Sequence, residues 1–125
     1  MQRNGRSARA AMVMAVVILG SFAAFAACNR EVAGGNADGP AVFREACARC
    51  HGESGAPSAS LRAQLGVRDL TSPELQQRLT DDEIRKQIRV GSDNKRMPGF
   101  GTALTDAQIE ALVAHVRSIG RSAAP

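Results

Sequence analysis

The chain has 125 residues, a formal net charge of +4, three cysteines, two histidines, four phenylalanines and neither tryptophan nor tyrosine. That length fits one domain plus a targeting sequence. Arg3, Arg6 and Arg9 fall in the first 27 residues, which hold no acidic side chain, so the remainder carries 13 basic against 12 acidic side chains and lacks the dense basic footprint of a nucleic-acid binder.

Residues 1–27 join a basic start to an uncharged run from Ala10 to Ala27, the pattern of a secretory signal peptide that takes no part in the fold. Phe25-Ala26-Ala27-Cys28 resembles a bacterial lipobox, with Phe25 where an aliphatic residue is usual; on that reading Cys28 is lipidated and becomes the mature N-terminus. Two alternatives stand beside it. Ala24-Phe25-Ala26 satisfies a small-residue cleavage rule, giving a soluble periplasmic protein, and the apolar run reaches the lower length limit of an uncleaved membrane anchor. All three export the domain, and the lipoprotein form places it on the periplasmic side of a membrane.

The polar, Gly/Ala-rich stretch 28–38 is expected to be a flexible tether; ten such residues span about 18 Å r.m.s.. Gly39-Pro40 then opens a helical stretch through Cys50, with proline acceptable in the first turn and residues 43, 46, 47 and 50 on one face. Residues 52–66 mix Gly, Pro and Ser and predict loop with at most a turn of helix. Ser72-Pro73 marks the start of a short helix. Thr80 with Glu83 forms a capping-box signature leading into Ile84 and Ile88, and Gly91 ends that helix. Residues 91–101 predict a surface loop carrying Met97 and Phe100. Thr105 with Gln108 repeats the capping signature before Ile109, Leu112, Val113, Val116 and Ile119, a final amphipathic helix closed by Gly120. No alternating run of β-branched or aromatic residues predicts a strand, so the expected fold class is all-α, with about three to five helices.

The 98 residues after the signal hold only two aromatics, Phe43 and Phe100, and domains of this size usually need a staple. Cys47-Ala48-Arg49-Cys50-His51 suggests what it is. A redox dithiol needs a βαβ context that is absent, a zinc site needs a fourth ligand with only His115 to offer, and a plain disulfide leaves the histidine unexplained. Covalent attachment of haem c accounts for all three side chains: Cys47 and Cys50 as thioethers to the two vinyl groups, His51 as the proximal iron ligand. A large flat apolar group would also replace the missing aromatics at the domain centre. Met97, on a loop between Arg96 and Pro98, is the candidate ligand on the far face.

These motifs, with Arg96-Met97-Pro98-Gly99-Phe100, Leu104-Thr105-Asp106-Ala107-Gln108-Ile109 and the Ile84, Ile88, Gly91 spacing, resemble a small bacterial class I cytochrome c over about residues 39–121. The resemblance implies a cytochrome c-like fold in which the first and last helices cross at Gly39 and Phe43, facing Leu112 and residue 115. That residue is His115 where an aromatic is usual, and it is expected to pack in the crossing rather than bind iron. The family also implies a proline carbonyl accepting the proton on the far nitrogen of the haem histidine, for which Pro57 is the match.

The implied function is one-electron carriage by a monomer with His51 and Met97 on the iron, not an enzyme in itself, though able to serve as a subunit of a larger oxidoreductase. Redox protein partners would dock transiently near Arg49, Lys95 and Arg96. The alternative is a haem-based small-ligand sensor or catalytic subunit in which Met97 is displaced from iron.

Overall fold

The computed structural model describes residues 31–123; residues 1–30, including the signal and Cys28, lie outside the described part. Among the described residues six α-helices follow in order: α1 (Gly39–Ala46), α2 (Ala48–His51), α3 (Ala59–Leu65), α4 (Pro73–Arg78), α5 (Asp81–Val90) and α6 (Asp106–Ser122). Among the described residues there is no strand, and no helix is long and apolar enough to cross a membrane.

Each predicted start is made by a side chain satisfying backbone N–H groups that the first turn leaves unpaired. Thr80 and Thr105 both form complete capping boxes, with Glu83 and Gln108 respectively, and Ser72 accepts from Leu75 N. Asp38 caps α1 by accepting from Ala41 N at 3.2 Å. Helix α3 runs longer than the single turn its sequence predicts; Ser58 caps it and Gly66, at φ 65°, closes it. The first predicted helix is divided at Cys47, where φ widens to −117° while ψ, at −37°, stays in the right-handed region, and α2 starts afresh. These two departures take the count to six.

The core is one cluster in which Val42 and Phe43 of α1 and Ile84 and Ile88 of α5 meet Ile109, Leu112, Val113, Val116 and Ile119 of α6, with Ala48 and Leu104 at its margins. Burying each large apolar side chain contributes about 1.5–3 kcal/mol, so the α1–α6 crossing and the α5 stripe hold the domain together. Close approach at the crossing needs Gly39: a Cβ there would collide with the Ala111 carbonyl oxygen and lie 3.0 Å from His115 Cβ. His115 stacks edge-on against Phe43, with centroids 5.0 Å apart and planes at 64°, filling the place of the usual aromatic as expected.

Two expectations are corrected. Gly120 does not close the last helix, which continues to Ser122; it is small because the Gln76 side chain lies over it, where a Cβ would come 2.8 Å from Gln76 Nε2. Nor is the whole of 28–38 a free tether. Val32 and Ala33 pack on the core, Ala33 N donates to Glu45 Oε2 at 2.7 Å, and the buried Gln108 amide donates to the carbonyls of Val32 (2.8 Å) and Asn36 (3.2 Å). A buried amide must find partners, and this one finds them in the incoming chain.

Candidate haem site

The spacing predicts one helical face for Phe43, Cys47 and Cys50, but the break at Cys47 puts Phe43 on α1 and Cys50 on α2, and exposure rises along the segment: Phe43 is buried, Cys47 half-buried and Cys50 exposed. Cys47 N donates to Phe43 O at 2.8 Å, while Cys50 N and His51 N both return to Cys47 O at 3.1 and 3.0 Å, so the tight turn of α2 presents two thiols and an imidazole in succession. Both thiols are free. Burial, then the neighbouring Cys50, pushes the Cys47 pKa up to about 11. Before attachment its sulfur would therefore be a neutral thiol at ordinary pH.

Directly after His51 the chain reverses through Gly52 at φ 77°, where a Cβ would strike the Ala56 carbonyl. The turn that follows is tied by Gly55 N to Gly52 O (3.1 Å) and by Leu70 N to Gly55 O (2.9 Å), which draws residues 67–70 alongside the histidine. His51 Nδ1 accordingly lies 3.2 Å from the carbonyl oxygen of Arg68. A carbonyl only accepts, so Nδ1 carries the proton and Nε2 keeps its lone pair for a metal. The expectation for Pro57 is corrected here: Pro57 is buried, and the backbone that reaches the imidazole is the segment drawn in by the Gly55–Leu70 bond. Any residue can offer a carbonyl, so nothing in the sequence marked Arg68. Burial lowers the His51 pKa, against the opposing pull of the Arg68 bond.

The Arg68 segment is itself held from two sides. Asp69 accepts from Thr71 Oγ1 (2.5 Å) and Thr71 N (2.9 Å) and pairs with Arg62 at 3.3 Å; Gln76 Nε2 donates to Leu70 O at 2.7 Å and to Val116 O at 3.1 Å. Arg117 fixes Gln76 in turn, donating to its backbone and side-chain oxygens at 2.7 and 3.0 Å, to Leu79 O and to Asp81 Oδ1.

Met97 is half-buried and packs on the same core cluster as Cys47, so the two sulfur-bearing residues border one apolar core. Its loop folds back on the end of α5: Phe100 N donates to Ile88 O at 2.8 Å and Gly101 N to Arg89 O at 3.1 Å, occupying carbonyls that a helix end leaves unpaired. Gly91 permits this at φ 82°, its missing Cβ being 2.5 Å from Met97 O. Arg49, Lys95 and Arg96 are exposed.

This donor set fits a covalently attached haem. Two free thiols stand one helical turn apart, the imidazole has a single nitrogen free, and a thioether lies on the shared apolar core. Among the described residues no group of three or more His, Cys, Asp or Glu side chains is placed to hold a metal ion.

The family model described as "Cytochrome C oxidase, cbb3-type, subunit III" matches residues 34–116, from the docked N-terminal segment to most of α6. Among solved structures, the KustC0563 c-type cytochrome is similar to this chain at 33% identity and a TM-score of 0.60, over 66% of this chain and 96% of its own. A comparison with curated proteins finds no match. Haem c with its iron is the cofactor the family implies, and Cys47 and Cys50 fit its CxxCH attachment motif. With the family model covering well over half its length, the chain belongs to the cbb3-type cytochrome c oxidase subunit III family, as a small all-helical c-type cytochrome that transfers electrons through haem.

Proposed function

We propose that this protein is a single-haem carrier of single electrons in which His51 and Met97 ligate the iron, held to the periplasmic face of a membrane by lipid on Cys28. The observation that carries the ligand assignment is the Nδ1 contact with Arg68 O, which leaves the Nε2 lone pair of His51 available to a metal, together with a thioether packed on the core that Cys47 borders. Haem c, when bound, would supply an iron that gains and loses one electron. Cys47 and Cys50 would hold that group by thioether bonds, and His51 and Met97 would supply the nitrogen and sulfur ligands of its iron, keeping small ligands away. Thioether ligation and burial in a low-dielectric core both raise the reduction potential.

Arg49, between the two cysteines, and Lys95 and Arg96, just before Met97, are exposed and would give brief docking of redox partners a basic character. The family description supports a second reading, in which the chain is the electron-transfer subunit of a larger oxidoreductase.

A haem stain on a denaturing gel tests attachment: the native chain stains and the double replacement of Cys47 and Cys50 by Ala does not. Met97→Ala should keep the stain and lower the midpoint potential in a redox titration. An unchanged midpoint would reject Met97 as ligand.

A further inference from the structure

Between Gly91 and Met97 the chain makes an exposed excursion, Asp93 to Arg96, with no helical ladder to hold it. What closes it is Ser92. Its backbone N donates to Met97 O at 3.0 Å, and its hydroxyl oxygen accepts from Met97 N at 2.9 Å, so one residue satisfies both backbone polar groups of Met97. The hydroxyl proton goes to Asn94 Oδ1 at 2.7 Å, which turns a lone pair toward Met97 N; the same Oδ1 accepts from Arg96 N at 3.1 Å. Lys95 N returns to Ser92 O at 2.9 Å, holding Lys95 in a left-handed conformation at φ 59° that a non-glycine residue enters only when its surroundings require it. On the other flank, Phe100 and Gly101 tie the chain to the end of α5. Met97 thus sits between two clamps, one built on helix carbonyls and the other almost entirely on Ser92.

We propose that Ser92, with its hydroxyl aimed by Asn94, is a positioning residue for Met97: it fixes the backbone from which the thioether is presented and so sets the fraction of molecules in which the distal side is closed. The inference rests on the reading of Met97 as distal ligand. A side chain on a clamped backbone keeps its place at little entropic cost, whereas the freed excursion would let the thioether leave. An outside ligand competes only for the open fraction, so its apparent affinity reports that fraction directly.

The test uses oxidised holoprotein, imidazole as competing ligand, and the long-wavelength absorption of a thioether–iron(III) bond. Ser92→Ala should bind imidazole about tenfold more tightly than the native protein, the size expected for losing about one net hydrogen bond, and should weaken the thioether band. Ser92→Thr, which restores the hydroxyl, should return both readings toward native, and Asn94→Ala should shift them in the direction of Ser92→Ala by a smaller amount. Native band strength and imidazole affinity in Ser92→Ala, with the band abolished in Met97→Ala, would overturn the role of Ser92 while the ligand stands. A band that survives in Met97→Ala would remove the ligand assignment and this inference with it. Should Ser92→Ala fail to accumulate as holoprotein, Asn94→Ala decides, because native imidazole affinity in that variant rejects the clamp.

Discussion

Gly39→Ala probes the α1–α6 crossing, from which the chain runs directly into the haem-attachment turn. A Cβ at this position would collide with the carbonyl oxygen of Ala111 and lie 3.0 Å from His115 Cβ and 3.1 Å from the Ala111 carbonyl carbon. The carbonyl belongs to the middle of α6 and is committed to the helix ladder, so it cannot rotate aside; relief requires α1 and α6 to separate, against Val42 and Phe43 packed on Ile109 and Leu112. Overpacking of this kind costs about 1–3 kcal/mol, and a rigid obstacle places it near the upper end. Alanine recovers up to about 1 kcal/mol through its better helix propensity, leaving a net loss of about 2 kcal/mol. For a domain of this size that lowers Tm by about 8–16 °C. Thermal unfolding of the holoprotein, followed by far-ultraviolet circular dichroism, measures it, with Ser60→Ala on the exposed side of α3 as the control expected to sit near native. A Gly39→Ala midpoint within about 2 °C of native would show that the helices yield at the crossing, and the close-packing account would be wrong.

Arg117→Ala should destabilise the domain by about 2–3 kcal/mol, since it strips donors from the carbonyls of Gln76 and Leu79 and from Asp81, and Arg117→Lys should rescue little because an ammonium lacks the guanidinium fork. Arg85→Ala, which breaks only exposed pairs with Asp82 and Glu110, should cost less than about 1 kcal/mol when both variants are compared by denaturant titration. Asp69 is held below the usual carboxylate range, first by the Thr71 hydroxyl; its stabilising effect is present above its ordinary pKa and is lost as pH falls through the lowered folded value. Asp69→Asn should therefore flatten the acid limb of the stability profile, and an unchanged limb would show that the bond carries no linkage. Because the Arg68 carbonyl meets His51, Pro57→Ala should leave the midpoint potential near native in a redox titration; a marked drop would return that role to Pro57.

Amino-acid order alone determined the chemistry of attachment and the helix starts, because both depend on spacing along the chain. Cys47, Cys50 and His51 fall within one helical turn wherever the domain folds, and the boxes at Thr80 and Thr105 close on residues three positions away. The helical period of α6 likewise marked Ile109, Leu112, Val113 and Val116 as core, and all four are buried. Contacts that join distant positions through backbone carbonyls were decided only by tertiary structure, since a carbonyl carries no side-chain identity to read. The choice of Arg68 over Pro57 for His51, the capture of Val32 and Asn36 by Gln108, and the closing of the Met97 loop by Ser92 are of this kind. Glycine shows the same division: sequence marked Gly91 and Gly120 as stops, yet Gly120 lies within a continuing helix because the reason for its small size is Gln76, 44 positions away along the chain.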